Sequence, residues 1–367
     1  MLQKSGRLFR IFGIDIRLHF SWYFIALLIA WSLSAAFFPT LLPGKTVTTY
    51  WIMGVTAALL LFVSVVLHEL SHSLVAKAKN IGVESITLFF FGGVAGITKE
   101  DMKPADEFQM AIAGPLFSLL LSGLFYLLHI AVGNDVVGAI TQYLYELNFI
   151  LALFNLVPGY PLDGGRAFRA ILYWKYKDLR KATYIAAQGG KFFAGVLIVL
   201  GIFGLFTGVG PGLWFILLGG FLYFIAGMSY EQVVMKEILN KIPVKQLIES
   251  RIPVIRPETK FSELVRKYAG SDEEIFLVRG GGFEGLLDTH RVEKMPSKLQ
   301  EVTSVKQLAR PFSQLKPLSK TADAYTAFRQ LSEQNLEALP VLEKGKFLGI
   351  VMKRRVMRQL IWRAKYG

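Results

Sequence analysis

Six runs of apolar residues, at roughly 18–38, 50–76, 107–131, 138–158, 190–207 and 211–229, dominate the first two-thirds of the chain. Each approaches the about 20 residues that an α-helix needs to cross a hydrocarbon core, so the pattern predicts six membrane-spanning helices. Between the second and third runs, residues 80–97 are strongly apolar but too short and too glycine-rich for a span. Ile86 to Phe91 reads as strand and Gly92-Gly93 as a turn. Backbone groups left unpaired against lipid are not tolerated. This stretch is therefore expected to form a re-entrant β-hairpin that lines a protein cavity or pairs with another strand.

After residue 229 the apolar runs shorten to four or five residues and charges return. A repeat becomes visible there. Val244-Lys-Gln-Leu247 recurs as Val305-Lys-Gln-Leu308, and Phe283, Gly285 and Val292 recur 64 positions later as Phe347, Gly349 and Val356. Phe261 and Leu264 have counterparts in Tyr325 and Phe328 at the same offset. Each copy reads helix, strand, strand, helix, and two such copies face to face bury what one alone leaves exposed. The expected fold class is a polytopic α-helical membrane protein with a re-entrant β-hairpin, followed by a soluble α/β tandem module. Its expected parts are a membrane domain at 1–229, a linker at 230–243, and repeat copies at 244–300 and 301–367.

Composition agrees: 53% of residues are hydrophobic, too many for an ordinary soluble globule. The net charge of +14 raises the question of nucleic acid, which the distribution of charge answers. Lys4, Arg7, Arg10 and Arg17 precede the first run, and Lys77, Lys79, Lys99 and Lys103 separate the second from the third. Arg166, Arg169, Lys175, Lys177, Arg180 and Lys181 separate the fourth from the fifth, whereas the opposite connections hold Lys45 alone. That alternation follows the positive-inside rule and predicts a cell-membrane protein with both termini cytoplasmic. A nucleic-acid surface would gather the basic residues on one soluble domain, so no nucleic-acid partner is expected. The first run is too long, and lacks a small-residue cleavage site, for a cleavable signal peptide. Absence of cysteine excludes disulfides, thiolate metal sites and a cysteine nucleophile.

Candidate chemistry lies within the second run, in Val66-Leu-His68-Glu69-Leu-Ser-His72. Residues four apart on a helix share a face, so His68 and His72 aim their imidazoles at one point. Zinc with about three protein ligands and an open position is the ion this pair suits, and Glu69 stands beside it as a proton acceptor. Ionisable groups in an apolar span are costly and are functional candidates for that reason. The bland alternative is a polar trio bonding helices together. A third ligand is expected from Asn155-Leu-Val-Pro158-Gly-Tyr-Pro161-Leu-Asp163-Gly164-Gly165-Arg166, where the prolines end a helix and the glycines permit a tight turn that presents Asp163. Taken alone, Asp-Gly-Gly is an ordinary turn. His19, His129 and His290 are expected to have non-ligand roles.

These motifs, in this order over residues 1 to about 229, resemble those of the site-2 protease family of intramembrane zinc metalloproteases. The resemblance implies one Zn2+ per chain held by His68, His72 and Asp163, with Glu69 as catalytic base and Asn155 contacting substrate or the tetrahedral intermediate. It likewise implies that Phe91, Gly92 and Gly93 belong to an edge strand that holds an unwound substrate. The substrates would be membrane-spanning proteins within the lipid bilayer. Ala113-Gly114-Pro115 resembles a family packing motif that many members follow with asparagine at the position of Ser118; this departure is expected to touch packing or substrate contact, not the metal site. The C-terminal repeat resembles a pair of cystathionine-β-synthase (CBS) domains, a regulatory or substrate-gating module for which an adenine nucleotide and homodimerisation are candidates. The hydroxyl and ribose-contacting aspartate of nucleotide-binding versions are missing from both Gly285-Leu-Leu-Asp288-Thr-His-Arg291 and Gly349-Ile-Val-Met352-Lys-Arg-Arg355. Lys353, Arg354 and Arg355 either meet phosphates or form a solvated or membrane-facing basic helix. Competing readings are a CBS-regulated ion channel or transporter that uses the His/Glu/Asp cluster for conduction, and an inactive membrane scaffold. No repeat among the spans favours a transporter.

Overall fold

The computed structural model describes residues 5–89, 92–97, 102–133, 135–208, 210–292 and 295–366. The chain divides into two compact units, Met1–Glu231 and Gln232–Gly367. Among the described residues, six helices are long and apolar enough to cross a membrane.

The first unit opens with an antiparallel hairpin, β1 (Ser5–Ile11) and β2 (Ile14–His19). Phe12 and Gly13, both at positive φ, make the two-residue turn that such a hairpin prefers. Only the charges of this segment entered the sequence reading. Yet Ile14, Ile16 and Leu18 alternate with Asp15 and Arg17, and the strand buries every second residue. The first span, Ser21–Leu41, is built from α1 (Ser21–Ser32), a π-helical turn at Leu33–Phe37 and α2 (Phe38–Leu41). Next comes α3 (Val47–Ala78), whose first turn is capped by the Thr46 hydroxyl accepting from the Thr49 amide.

The hairpin anticipated at 80–97 is present as β3 (Val83–Phe89) and β4 (Gly92–Ile97), paired antiparallel. Gly92 and Gly93 lie in β4, opposite Phe89 and Leu88, and not in the turn assigned to them. Strand β2 runs parallel to β3 and completes a four-stranded sheet in the order β1-β2-β3-β4. The N-terminal hairpin thus satisfies one edge of β3, as a strand near a bilayer requires. Ile14, Ile16 and Ile86, all without exposure, pack with Leu70 and Met110 and fix the sheet to the helices.

Helix α4 (Pro104–Val132) starts with proline at its first position, where the missing amide costs nothing. Helix α5 (Val136–Asn155) is capped by Asp135 and α7 (Leu179–Thr207) by Asp178. Between them lies the short α6 (Asp163–Tyr176), and α8 (Gly212–Asn240) closes the series. The fifth span begins well before the apolar run at 190. Its early part buries only Ala182, Thr183, Ala186, Ala187 and Gly190, a small-residue face that hydrophobicity alone does not reveal.

That face receives the segment between α5 and α6. The Tyr160 amide donates to the Ala186 carbonyl at 3.0 Å. A Cβ at Gly190 would lie 1.8 Å from the Tyr160 carbonyl oxygen, and one at Gly165 would lie 2.2 Å from the Gly159 carbonyl carbon. Gly164 and Gly165 form the first turn of α6, not a tight turn before it. Their function is close backbone approach, which places Asp163 at the helix start.

The second unit begins within the last turns of α8. Residues 230–240, read as part of a linker, are helical here, and Leu239 and Ile242 are fully buried. Its elements are β5 (Val254–Ile255), α9 (Phe261–Tyr268), β6 (Ile275–Gly280), β7 (Phe283–Asp288), α10 (Ser297–Val302), α11 (Val305–Leu308) and β8 (Arg310–Pro311). They continue with β9 (Leu318–Ser319), α12 (Ala324–Glu333), β10 (Ala338–Glu343), β11 (Lys346–Met352) and α13 (Lys353–Tyr366). Two sheets form, β5-β6-β7-β8 and β11-β10-β9. The copies are interleaved: β8, which leads the second copy, pairs with β7, while Glu249 of the first bridges Ile350 in β11.

Substitution at the α7 contact tests this packing. Gly190→Ala is expected to destabilise the protein by about 1–3 kcal/mol, as overpacking does. Gly195→Ala in the same helix meets nothing within 4 Å and should be neutral or slightly stabilising through helix propensity. Thermal unfolding of the two variants in detergent checks the pair.

Candidate active site

His68 and His72 occupy adjacent turns of α3 and are 3% and 6% exposed. Their Nε2 atoms are 3.2 Å apart. Asp163 opens α6 and brings its Oδ2 to 3.2 Å from His68 Nε2 and 3.1 Å from His72 Nε2. Three ligand atoms from positions 68, 72 and 163 therefore meet at one point. Among the described residues this is the one group of histidine and acidic side chains able to hold a metal ion.

The arrangement fits zinc. Nitrogen ligands about 2.05 Å from a tetrahedral ion would stand about 3.3 Å apart, close to the observed spacings. The opposite ring nitrogens are engaged too. His72 Nδ1 donates to the Met110 carbonyl at 2.6 Å, which leaves the Nε2 lone pair facing the centre. His68 Nδ1 lies 2.8 Å from Ser118 Oγ. A Cβ at Gly114 would lie 2.2 Å from His72 Nε2 and 2.6 Å from His68 Nε2, so only glycine leaves the pocket open.

Ser118 corrects an expectation. It touches a candidate ligand directly, so the departure from asparagine reaches the candidate metal site as well as packing. The sequence reading missed its role because the partner lies 50 positions away on another helix. Met110, which acts through its carbonyl, leaves no side-chain signal. The Ala113-Gly114-Pro115 motif did carry one: a glycine within an apolar helix marks close approach of something bulky.

Glu69 is half-buried, one residue beyond His68 on α3. The backbone of β4 runs against it, since a Cβ at Gly93 would lie 2.5 Å from Glu69 Cγ. Gly92 and Gly93 are both in this strand, which ends the sheet; Phe91 lies outside the described residues. Asn155 is the last residue of α5, half-buried, eight positions before Asp163 and outside the ligand trio. The other histidines have separate partners. His19 bonds Ser21, His129 donates to the Gly138 carbonyl, and His290 lies 3.3 Å from Glu274.

The second unit contains a cavity of about 290 Å³ walled by Asp288, Arg291, Arg310 and Glu337 together with Leu286 and Ala338. Burial pushes the Asp288 carboxyl above the usual carboxylate range. Each of the three basic residues that open α13 pairs with a carboxylate: Lys353 with Glu337, Arg354 with Glu274 and Arg355 with Glu249.

Residues 56–142 and 131–202 match the model of peptidase family M50, and residues 305–361 match the CBS domain. A relative in Synechocystis sp., sll0528, which carries the name of a zinc metalloprotease, is 34% identical over 98% of this chain and 96% of its own. Zinc metalloprotease MJ0392 of Methanocaldococcus jannaschii is 31% identical over 98% of this chain and 97% of its own. A solved structure of site-2 protease from the same organism is 33% identical, covers 62% of this chain and 95% of that one, and superposes with a TM-score of 0.42.

Two substitutions on α4 separate room from orientation at the centre. Gly114→Ala is expected to abolish stoichiometric zinc binding. Ser118→Ala should retain zinc but with affinity lowered about 10–100-fold, the usual effect of removing a partner behind a ligand histidine. Metal analysis after competition with a graded chelator measures both.

Proposed function

The chain belongs to peptidase family M50, and on that premise we propose how this intramembrane zinc metalloprotease uses its residues. His68, His72 and Asp163 hold the ion, Glu69 is the base, and β4, the end strand of the sheet among the described residues, holds the substrate. The observation that supports this reading is the contact of β4 with Glu69, which lies between the two histidines in sequence, because an end strand there suits an extended substrate.

A transmembrane helix keeps each peptide carbonyl in an internal hydrogen bond, so hydrolysis requires local unwinding. An unwound segment near lipid needs new backbone partners. Strand addition to β4 provides them, and the glycines there admit a close backbone approach. Zinc, when bound, makes a water acidic near neutral pH and draws charge from a carbonyl oxygen. Glu69 accepts the proton of the attacking water and returns it to the departing amine nitrogen. Asn155, at the end of α5 and eight positions before Asp163, is assigned as a hydrogen-bond donor to substrate.

The alternation of basic connections supports cytoplasmic termini. Helix α3 then runs inward, and with His68 and His72 in its second half the cut falls in the cytoplasmic half of the bilayer. The substrate class is proteins with a single membrane-spanning segment, one fragment of which is released. The CBS pair serves as the regulatory unit, able to join two copies. An adenine nucleotide in its cavity would meet Arg291 and Arg310 through phosphate, since Asp288 and Arg291 stand where nucleotide-binding members carry a hydroxyl and an aspartate.

Co-expression with a tagged single-span substrate tests the catalytic reading. Glu69→Gln is expected to lower cleavage at least about 100-fold while the purified protein keeps about one zinc per chain. Equal cleavage by both proteins would remove Glu69 from its role. For the effector, millimolar AMP or ATP should raise the Tm of the wild type more than that of Arg291→Ala, and no shift in the wild type would dismiss a nucleotide.

A further inference from the structure

Helix α4 presents more than Met110, Gly114 and Ser118 to the site. Glu107 lies three residues before Met110, so positions 107, 110, 114 and 118 form one stripe along the helix. Glu107 is 2% exposed, and its Oε1 accepts from Arg169 Nε at 2.9 Å and from Arg169 Nη2 as well. Arg169 belongs to α6, the helix that Asp163 opens, and its guanidinium carbon sits 5.0 Å from the centre of the Tyr160 ring. The same arginine therefore grips the chain on both sides of Asp163.

Gly164 and Gly165 press the first turn of α6 on the segment at 156–160, but no large buried side chain follows to key the helix further along. Its buried residues are Gly164, Gly165, Ala167 and Ala170, none with a side chain beyond Cβ. Such a face sets the distance of approach closely, while Ala167 and Ala170 give little hold on rotation and slide beyond the first turn. A guanidinium that gives two N–H groups to one carboxylate oxygen while its carbon lies against the Tyr160 ring is held at two places, and so constrains both. Buried ion pairs are poor sources of stability, because desolvation offsets most of the attraction. A geometric role accounts for one at this place.

From this geometry we infer that Glu107 and Arg169 are positioning residues, which hold Asp163 on the His68–His72 pair and so set zinc affinity. This rests on the reading of Asp163 as a ligand. One helix, α4, then orients all three ligands: His72 through Met110, His68 through Ser118, and Asp163 through Glu107 and Arg169.

The experiment measures zinc affinity of the purified full chain by chelator competition, with the Tm of the metal-free protein alongside. Glu107→Leu combined with Arg169→Met replaces the pair by apolar groups of similar volume, an exchange that commonly preserves folding. The expected result is a wild-type-like metal-free Tm with zinc affinity lowered about 10–100-fold. Arg169→Lys, which keeps the charge and loses the fork, should show a loss in the same direction and serves if the apolar pair fails to fold. Asp163→Ala is the control for the premise. If it loses zinc while the apolar pair, or Arg169→Lys in its place, binds with wild-type affinity, the ion pair is merely structural and the inference fails. If Asp163→Ala itself keeps wild-type affinity, Asp163 is no ligand, and the premise and the inference fall together.

Discussion

Three ligand atoms, from His68, His72 and Asp163, converge within hydrogen-bonding distance of one another inside a bundle of apolar helices. Bringing two unprotonated ring nitrogens and a carboxylate together in a poorly polarisable medium is unfavourable unless a cation takes the shared space or protons bridge them. Much of the membrane unit can be understood as the scaffold this convergence demands. Helix α3 sets the two rings four residues apart, α4 passes close enough for its carbonyl and serine to hold their far sides, and Gly114 leaves the centre open. The segment at 156–165 reaches the centre only because Gly159, Gly165 and Gly190 allow backbone to press on backbone.

The bilayer imposes a second constraint, on the sheet. Each strand edge there needs a partner, and β3 obtains both of its partners from within the chain. The remaining edge next to the centre is that of β4, the strand against Glu69. A strand edge that lipid leaves without hydrogen-bond partners thus lies beside Glu69, which is why an extended substrate is proposed to sit there. The N-terminal hairpin enables this economy. It caps the far side of β3, which lets β4 remain the outer strand.

The C-terminal unit solves a different problem. Each repeat copy is too small to bury its own core, and the copies exchange their leading segments. Val244 and Leu247 of the first copy lie in the same core as Leu339, Val341 and Ile350 of the second. Ion pairs from the start of α13 to Glu274 and Glu249 tie the second copy to the first along the surface. The surface pairs matter less to stability than the exchanged apolar segments do.

The features legible in the sequence are those governed by short-range periodicity. Run length gave the spans, and the four-residue spacing of His68 and His72 gave a shared face. The re-entrant hairpin followed from a run too short for a span. Ile14-Asp-Ile-Arg-Leu18 carried a strand signal of the same local kind, overshadowed by its charges. Contacts between distant positions had no such signature. That Ser118 would hold His68, that Met110 would offer its carbonyl, and that Gly164 and Gly165 would serve packing and not a turn, depended on which helices become neighbours. So did the pairing of β2 with β3. Periodicity reports what one element presents to its surroundings, whereas the identity of those surroundings is settled by packing across 50 to 95 positions of chain. The sequence therefore determined the chemistry of the ligands, and the tertiary structure decided what orients them.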